Sequence, residues 1–193
     1  MLKCQTNLLQ DLREFNEFIQ LIHKSEVKSY LEIGSKHGGS LWRIGSSLPA
    51  GSRIVSVDLP HGDTSFKESE PHLRACVEEL KKKGYDAHLF LTSSQDASTI
   101  NSVRALAPFD LLFIDANHTE PFVRHDWSVY GPMAKMVAFH DINWKARPEP
   151  SKKMPIEVPK VWNEIKTGFK HKEIKYCPRD NGIGILWQSP VSN

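Results

Sequence analysis

Residues 28–58 read KSYLEIGSKHGGSLWRIGSSLPAGSRIVSVD, and their order decides the fold. Residues 29–33 form a short apolar run with Glu32 near its end, and Gly34, Gly38 and Gly39 follow at once. Ser40 and Leu41 open a helical pattern, residues 54–57 form a second apolar run, and Asp58 closes it. Strand, glycine-bearing turn, helix and strand in this order make a βαβ unit whose first turn lets the backbone bend tightly and pass close to a ligand. Two carboxylates at neighbouring strand ends suit the amine and hydroxyls of a nucleoside cofactor and would repel a pyrophosphate.

That chemistry separates two cofactors. A dinucleotide site needs G-x-G-x-x-G, whose second glycine makes room for the pyrophosphate at the helix N-terminus, and Lys36 stands in that place. S-adenosylmethionine has no phosphate and carries an ammonium, a sulfonium and a ribose. Glu32 would face its methionine moiety and Asp58 its ribose hydroxyls. The segment E-I-G-S-K-H-G-G-S, residues 32–40, resembles the first motif of the class I S-adenosylmethionine-dependent methyltransferases, particularly the metal-dependent O-methyltransferases. With the resemblance, the cofactor pocket is expected to use Glu32, Gly34, Ser35, Lys36, Gly38, Ser40, Asp58 and Leu59.

The rest of the chain continues the alternation. Apolar residues at Leu8, Leu9, Leu12, Phe15, Phe18, Ile19 and Ile22 recur at intervals of three and four, which predicts an amphipathic helix within residues 1–25. Its apolar face would cover the sheet or a second copy of the chain, leaving a homodimer open. Helices are predicted over residues 71–83, 97–106, 120–130 and 158–166, and strands over 87–91, 109–114, 136–139, 172–176 and 183–187. The last two strands are joined by a tight turn and must run antiparallel. The sum is one α/β domain over residues 1–193: a Rossmann-like, doubly wound sheet of seven strands, mostly parallel with an antiparallel last strand and helices on both faces. Residues 145–159 hold four prolines and read as a loop, placed to act as a lid.

In an open parallel sheet, ligands sit outside the carboxyl ends of the strands. The remaining strand ends carry Ser93-Ser94-Gln95-Asp96, F-I-D-A-N-H at residues 113–118, and F-H-D-I at residues 139–142. The first resembles the segment that reaches the adenine ring in the catechol O-methyltransferase group, which implies Ser94 and Gln95 as base contacts; an ordinary capped turn is the alternative. Asp115 and Asp141, two carboxylates at adjacent tips, suit a hard divalent cation such as Mg²⁺. His140 adjoins them as a third candidate metal ligand; because imidazole suits Mg²⁺ poorly, either another metal or an inward structural role is open for it. The resemblance extends to the catechol, macrolide-sugar and cephalosporin-hydroxylase-like groups, and by it Asp115 also borders the cofactor and His118 occupies the position of the general base. An imidazole titrating near about pH 6.5 is suited to taking a hydroxyl proton during methyl transfer.

Composition narrows the function further. The chain has 193 residues, 39% of them hydrophobic, and 25 Lys plus Arg against 23 Asp plus Glu, a net charge of +2. No global field calls for nucleic acid, and no stretch reads as a membrane span or a signal peptide, so a cytoplasmic enzyme acting on a small hydroxylated molecule is expected. Cys4, Cys76 and Cys177 are odd in number and widely spaced, which fits reduced thiols. A nicotinamide-dependent oxidoreductase and a cofactor-binding module without catalysis are the two rival readings.

Overall fold

The computed structural model describes residues 10–60, 69–145, 155–178 and 181–188. Seven strands form its frame: β1 (Ser29–Ile33), β2 (Arg53–Asp58), β3 (Asp86–Leu91), β4 (Phe109–Ile114), β5 (Ala134–Phe139), β6 (Lys170–Ile174) and β7 (Ile183–Trp187). They make one sheet in the order β3-β2-β1-β4-β5-β7-β6. The five strands β1 to β5 pair in parallel, and β7 runs antiparallel to both its neighbours. Strand order reverses between β1 and β4, so the crevice at their carboxyl ends is where such a sheet takes a ligand.

Successive residues on a strand face opposite sides of the sheet, and here both sides are covered. On one side Tyr30, Ile54, Leu111, Phe113 and Met136 pack with Phe15, Phe18, Leu41, Ile44, Leu73 and Leu80. These come from α1 (Leu12–Lys24), α2 (Gly39–Gly45) and α3 (Ser69–Lys82). On the other side Leu31, Val55, Leu112, Val137 and Phe139 meet Val103, Val123, Val161 and Trp162, from α4 (Ala97–Arg104), α5 (Glu120–Tyr130) and α6 (Val158–Ile165). Burying each such side chain contributes about 1.5–3 kcal/mol, so the apolar patterns of β1, β2, β4 and β5 specify the centre of the sheet strongly.

Helix ends follow local chemistry. Asp11 caps α1 by accepting from the Arg13 and Glu14 amides, and Asp96 caps α4 by accepting from the Ser98 and Thr99 amides. Thr119 starts α5 without a side-chain cap bond, and Glu157 supplies one from outside, its Oε2 accepting from the Glu120 amide at 2.9 Å. The edge strand β6 begins at Lys170, two residues earlier than the apolar pattern indicates, because backbone pairing to β7 needs no apolar side chain at an edge.

Two expectations fall partly outside the described residues: Leu8 and Leu9 of the N-terminal pattern, and residues 146–154 of the proline-rich loop. One is corrected: Cys76 is disulfide-bonded, whereas Cys177 is a free thiol. Among the described residues no helix is long and apolar enough to cross a membrane.

Candidate functional site at the strand tips

The turn after β1 is built on backbone that only certain residues tolerate. Gly34 has φ +89°, and a Cβ there would stand 2.4 Å from the carbonyl oxygen of Asp115, so the β1 and β4 tips touch backbone to backbone. The Asp115 amide donates to Ile33 O at 2.9 Å, which seals that approach. Lys36 takes φ +50° and Gly38 φ +86°, the latter as the residue before α2.

Asp58, at the tip of β2, holds this turn from below. Its Oδ2 accepts from the amides of Ser35, at 2.9 Å, and Lys36, and its Oδ1 accepts from Leu59 at 2.7 Å. Burial pushes its carboxyl up, and the three amide bonds pull the other way. Ser35 adds a hydroxyl contact of 2.8 Å to Ser56, and Leu59 lies open to solvent.

Glu32 is wholly buried, with Ser40 Oγ donating to Oε1 at 2.6 Å and the Tyr30 hydroxyl donating to Oε2. Tyr30 and Glu32 are two apart on β1 and so share a face. Burial pushes the Glu32 carboxyl up to about 8, and the nearby Asp115 charge adds to the rise. Asp115 also raises Asp58, which places all three acids within one electrostatic neighbourhood.

The chemistry converges at β4 and β5. His118 Nε2 lies 3.1 Å from Asp141 Oδ2 and 3.6 Å from Asp115 Oδ1, and His140 Nδ1 lies 3.2 Å from Asp115 Oδ1 and 3.4 Å from Asp141 Oδ1. Two carboxylates and two imidazoles thus alternate in a ring. Burial alone would lower both imidazoles, but the carboxylates override it and raise His118 to about 10 and His140 to about 9. Burial would likewise raise Asp115, and His140 and His118 instead hold it well below the usual carboxylate range. Asp141 sits at φ +61°, a left-handed conformation uncommon for a residue with a side chain.

The expected cation site over Asp115, His140 and Asp141 does not take shape. Among the described residues no group of three His, Cys, Asp or Glu side chains is disposed to hold a metal ion. Each carboxylate turns oxygen toward both imidazoles, so the oxygens a cation would need are already engaged. The donors as arranged do not fit Mg²⁺. His140 faces inward, edge-on to Phe113, and its Nε2 finds no hydrogen-bond partner among the described residues.

Several residues that sequence reasoning passed over complete the site. Gln10 Nε2 donates to Asp115 Oδ2 at 2.6 Å. The Glu157 amide donates to His118 O at 2.8 Å, anchoring the far end of the proline-rich loop beside the imidazole. Ser94 is held by its backbone, the Tyr130 hydroxyl donating to its carbonyl at 2.7 Å, while Gln95 is exposed and its amide donates to Ser93 Oγ. Asp126 is buried on α5, its Oδ1 3.3 Å from His125 Nδ1, and burial raises it.

Residues 31–142, more than half of the chain, match the family described as methyltransferase domain. The chain belongs to that family. Its matched region runs from β1 to just past Asp141, so every strand tip of the site lies within it, and a nicotinamide oxidoreductase is set aside. The fold agrees with solved methyltransferases. The O-methyltransferase TomG of Streptomyces achromogenes, involved in tomaymycin synthesis and solved with S-adenosylmethionine, is 17% identical with a TM-score of 0.63, over 95% of this chain and 82% of that one. An O-methyltransferase from Bacillus cereus, solved with S-adenosylhomocysteine, is 14% identical with a TM-score of 0.65, over 95% and 83%. At such identities the methyltransferase fold is what is shared. No protein of curated function matches the sequence significantly.

Proposed function

We propose that this methyltransferase moves the methyl group of S-adenosylmethionine to a hydroxyl of a small acceptor, with His118 receiving the acceptor's proton. The observation that carries the reading is the ring of Asp115, His118, Asp141 and His140 at the β4 and β5 tips, opposite the Gly34 turn. The cofactors named in the two neighbours support the choice of cofactor. The turn from Gly34 to Lys36 would border the methionine moiety, Asp58 and Leu59 the ribose, and Ser94 and Gln95 the adenine.

In the transfer, the bond from acceptor oxygen to methyl carbon forms as the sulfur–methyl bond breaks. The electron pair stays on sulfur, and the hydroxyl proton passes to imidazole. Paired with two carboxylates, His118 is protonated at neutral pH and cannot accept that proton. His118 would act as the acceptor once the hold of Asp115 and Asp141 on its proton weakens, and a third of its side chain is open to solvent for that proton to leave. A divalent-metal-assisted version requires Asp115 and Asp141 to give up contacts with both imidazoles, and no donor arrangement among the described residues favours it.

The test incubates the protein with isotopically labelled S-adenosylmethionine and a panel of hydroxylated metabolites, reading mass gain. A methylated hydroxyl product that disappears in His118→Gln, while that variant still binds S-adenosylhomocysteine, supports the reading. Transfer undiminished in His118→Gln sinks the proton-acceptor role, and transfer to nitrogen or sulfur alone sinks the acceptor class.

A further inference from the structure

The helix α1 and the residue leading into its cap lie outside residues 31–142, yet both connect to the strand-tip ring, one by direct contact and one through backbone. Gln10, just before the cap of α1, donates from Nε2 to Asp115 Oδ2 at 2.6 Å. The other oxygen of that carboxylate faces the imidazoles, at 3.2 Å from His140 and 3.6 Å from His118. Since both oxygens are engaged, the carboxylate plane is fixed, and with it the position of both rings. Gln10 is the only donor to Oδ2 among the described residues.

Glu14 acts at longer range. It is wholly buried, an unusual setting for a glutamate, and it accepts backbone amides with both oxygens: Oε1 from Tyr176 at 2.7 Å and Cys177 at 3.1 Å, Oε2 from Gly182 at 2.8 Å. The carbonyls beside those amides grip the residues that follow Asp141. Ile142 N donates to Gly182 O at 3.3 Å, Asn143 N donates to Asn181 O at 3.0 Å, and Asn143 Nδ2 donates to Cys177 O. A Cβ on Gly182 would approach Asn143 to 3.0 Å and Ile142 to 3.1 Å, so the two segments lie in close packing. Asp141 needs such neighbours, because its left-handed φ persists only where the surroundings over-determine it.

We infer that α1 is a positioning element of the active centre, in which Gln10 orients Asp115 directly and Glu14 fixes Asp141 through the backbone of Gly182 and Asn181. The two acids that organise His118 are thereby set by a helix beyond the matched family region. A helix that merely packed on the sheet would need neither contact, since Phe15, Phe18 and Ile22 already bury its apolar face.

The test compares Gln10→Ala and Glu14→Gln with Gln20→Ala, a control on an exposed site of the same helix. Two readouts are taken beside the unfolding midpoint: the ring carbon–proton resonances of His118 and His140, and calorimetric affinity for S-adenosylhomocysteine. The affinity readout rests on the cofactor reading above, and the resonances do not. Gln10→Ala should keep the wild-type midpoint, shift both ring resonances and weaken affinity about tenfold, while Gln20→Ala changes nothing. Glu14→Gln should shift the same resonances; if it proves too unstable to measure, Gln10→Ala decides alone. Unchanged resonances in Gln10→Ala overturn the inference, and tighter binding would mean that Gln10 plugs the site instead. Wild-type protein that fails to bind S-adenosylhomocysteine, with the resonance shifts intact, removes the cofactor reading and leaves the positioning role standing.

Discussion

His118 shares one nitrogen between two acids, its Nε2 standing 3.1 Å from Asp141 and 3.6 Å from Asp115. With His140 closing the ring from the other side, the strand tips carry two carboxylates and two imidazoles in alternation. Opposite charges within about 4 Å stabilise one another most where water is sparse, and three of these four residues are buried or nearly so.

That ring makes stability depend on alkaline pH. Raised imidazole values mean that the stabilisation is whole below the unfolded value of 6.5 and is lost as pH rises through about 9 for His140 and about 10 for His118. The thermal midpoint should fall between neutral pH and about pH 10. His118→Gln should start lower at neutral pH and fall less; equal slopes in the two proteins would count against the pairing.

Glu32 tilts stability the same way for a different reason. Burial raises it from 4.5 to about 8, so its contribution is whole below the unfolded value and is lost as the carboxyl ionises through about 8. Glu32→Gln keeps the shape and removes the ionisation. Its midpoint should vary less than wild type across that window, and an unaltered pH dependence would show that Glu32 ionises freely.

Gly34 admits no side chain. Alanine there would carry a left-handed φ, costing about 1–2 kcal/mol, and a Cβ driven against the β4 backbone, costing about 1–3 kcal/mol more. Gly34→Ala should unfold several degrees lower and lose cofactor binding. A variant with wild-type affinity would show that the turn does not border the cofactor.

A cation must displace both imidazoles to reach Asp115 and Asp141. Millimolar Mg²⁺ should therefore leave the unfolding midpoint and the affinity for S-adenosylhomocysteine unchanged. A saturable rise in the midpoint, the signature of an ion bound to the folded state alone, would show that the ring opens for metal.

Much of this was readable from local pattern, and the failures have identifiable causes. The β1–turn–α2–β2 unit declared itself because glycines, strand period and terminal acids all lie within 31 residues, 28 to 58. The burial of Glu32 is half legible: period two puts Tyr30 on its face, but nothing local says that the two side chains bond to each other. Gln10 could not be found, since it meets Asp115 across 105 positions and carries no motif of its own. The sequence leaves His140 between two roles because imidazole suits Mg²⁺ poorly; in the structure its Nδ1 faces both acids. The start of β6 was misjudged for want of an apolar pattern that an edge strand does not require.

The central claim is that these strand tips form the pocket of a nucleoside cofactor without phosphate, and calorimetric titration of the wild-type protein and Asp58→Ala tests it most directly. The account predicts one S-adenosylhomocysteine bound per chain, no binding of NAD, and at least about a tenfold loss, roughly 1.4 kcal/mol, when Asp58 is removed. NAD binding in place of S-adenosylhomocysteine, or affinity indifferent to Asp58, would contradict it.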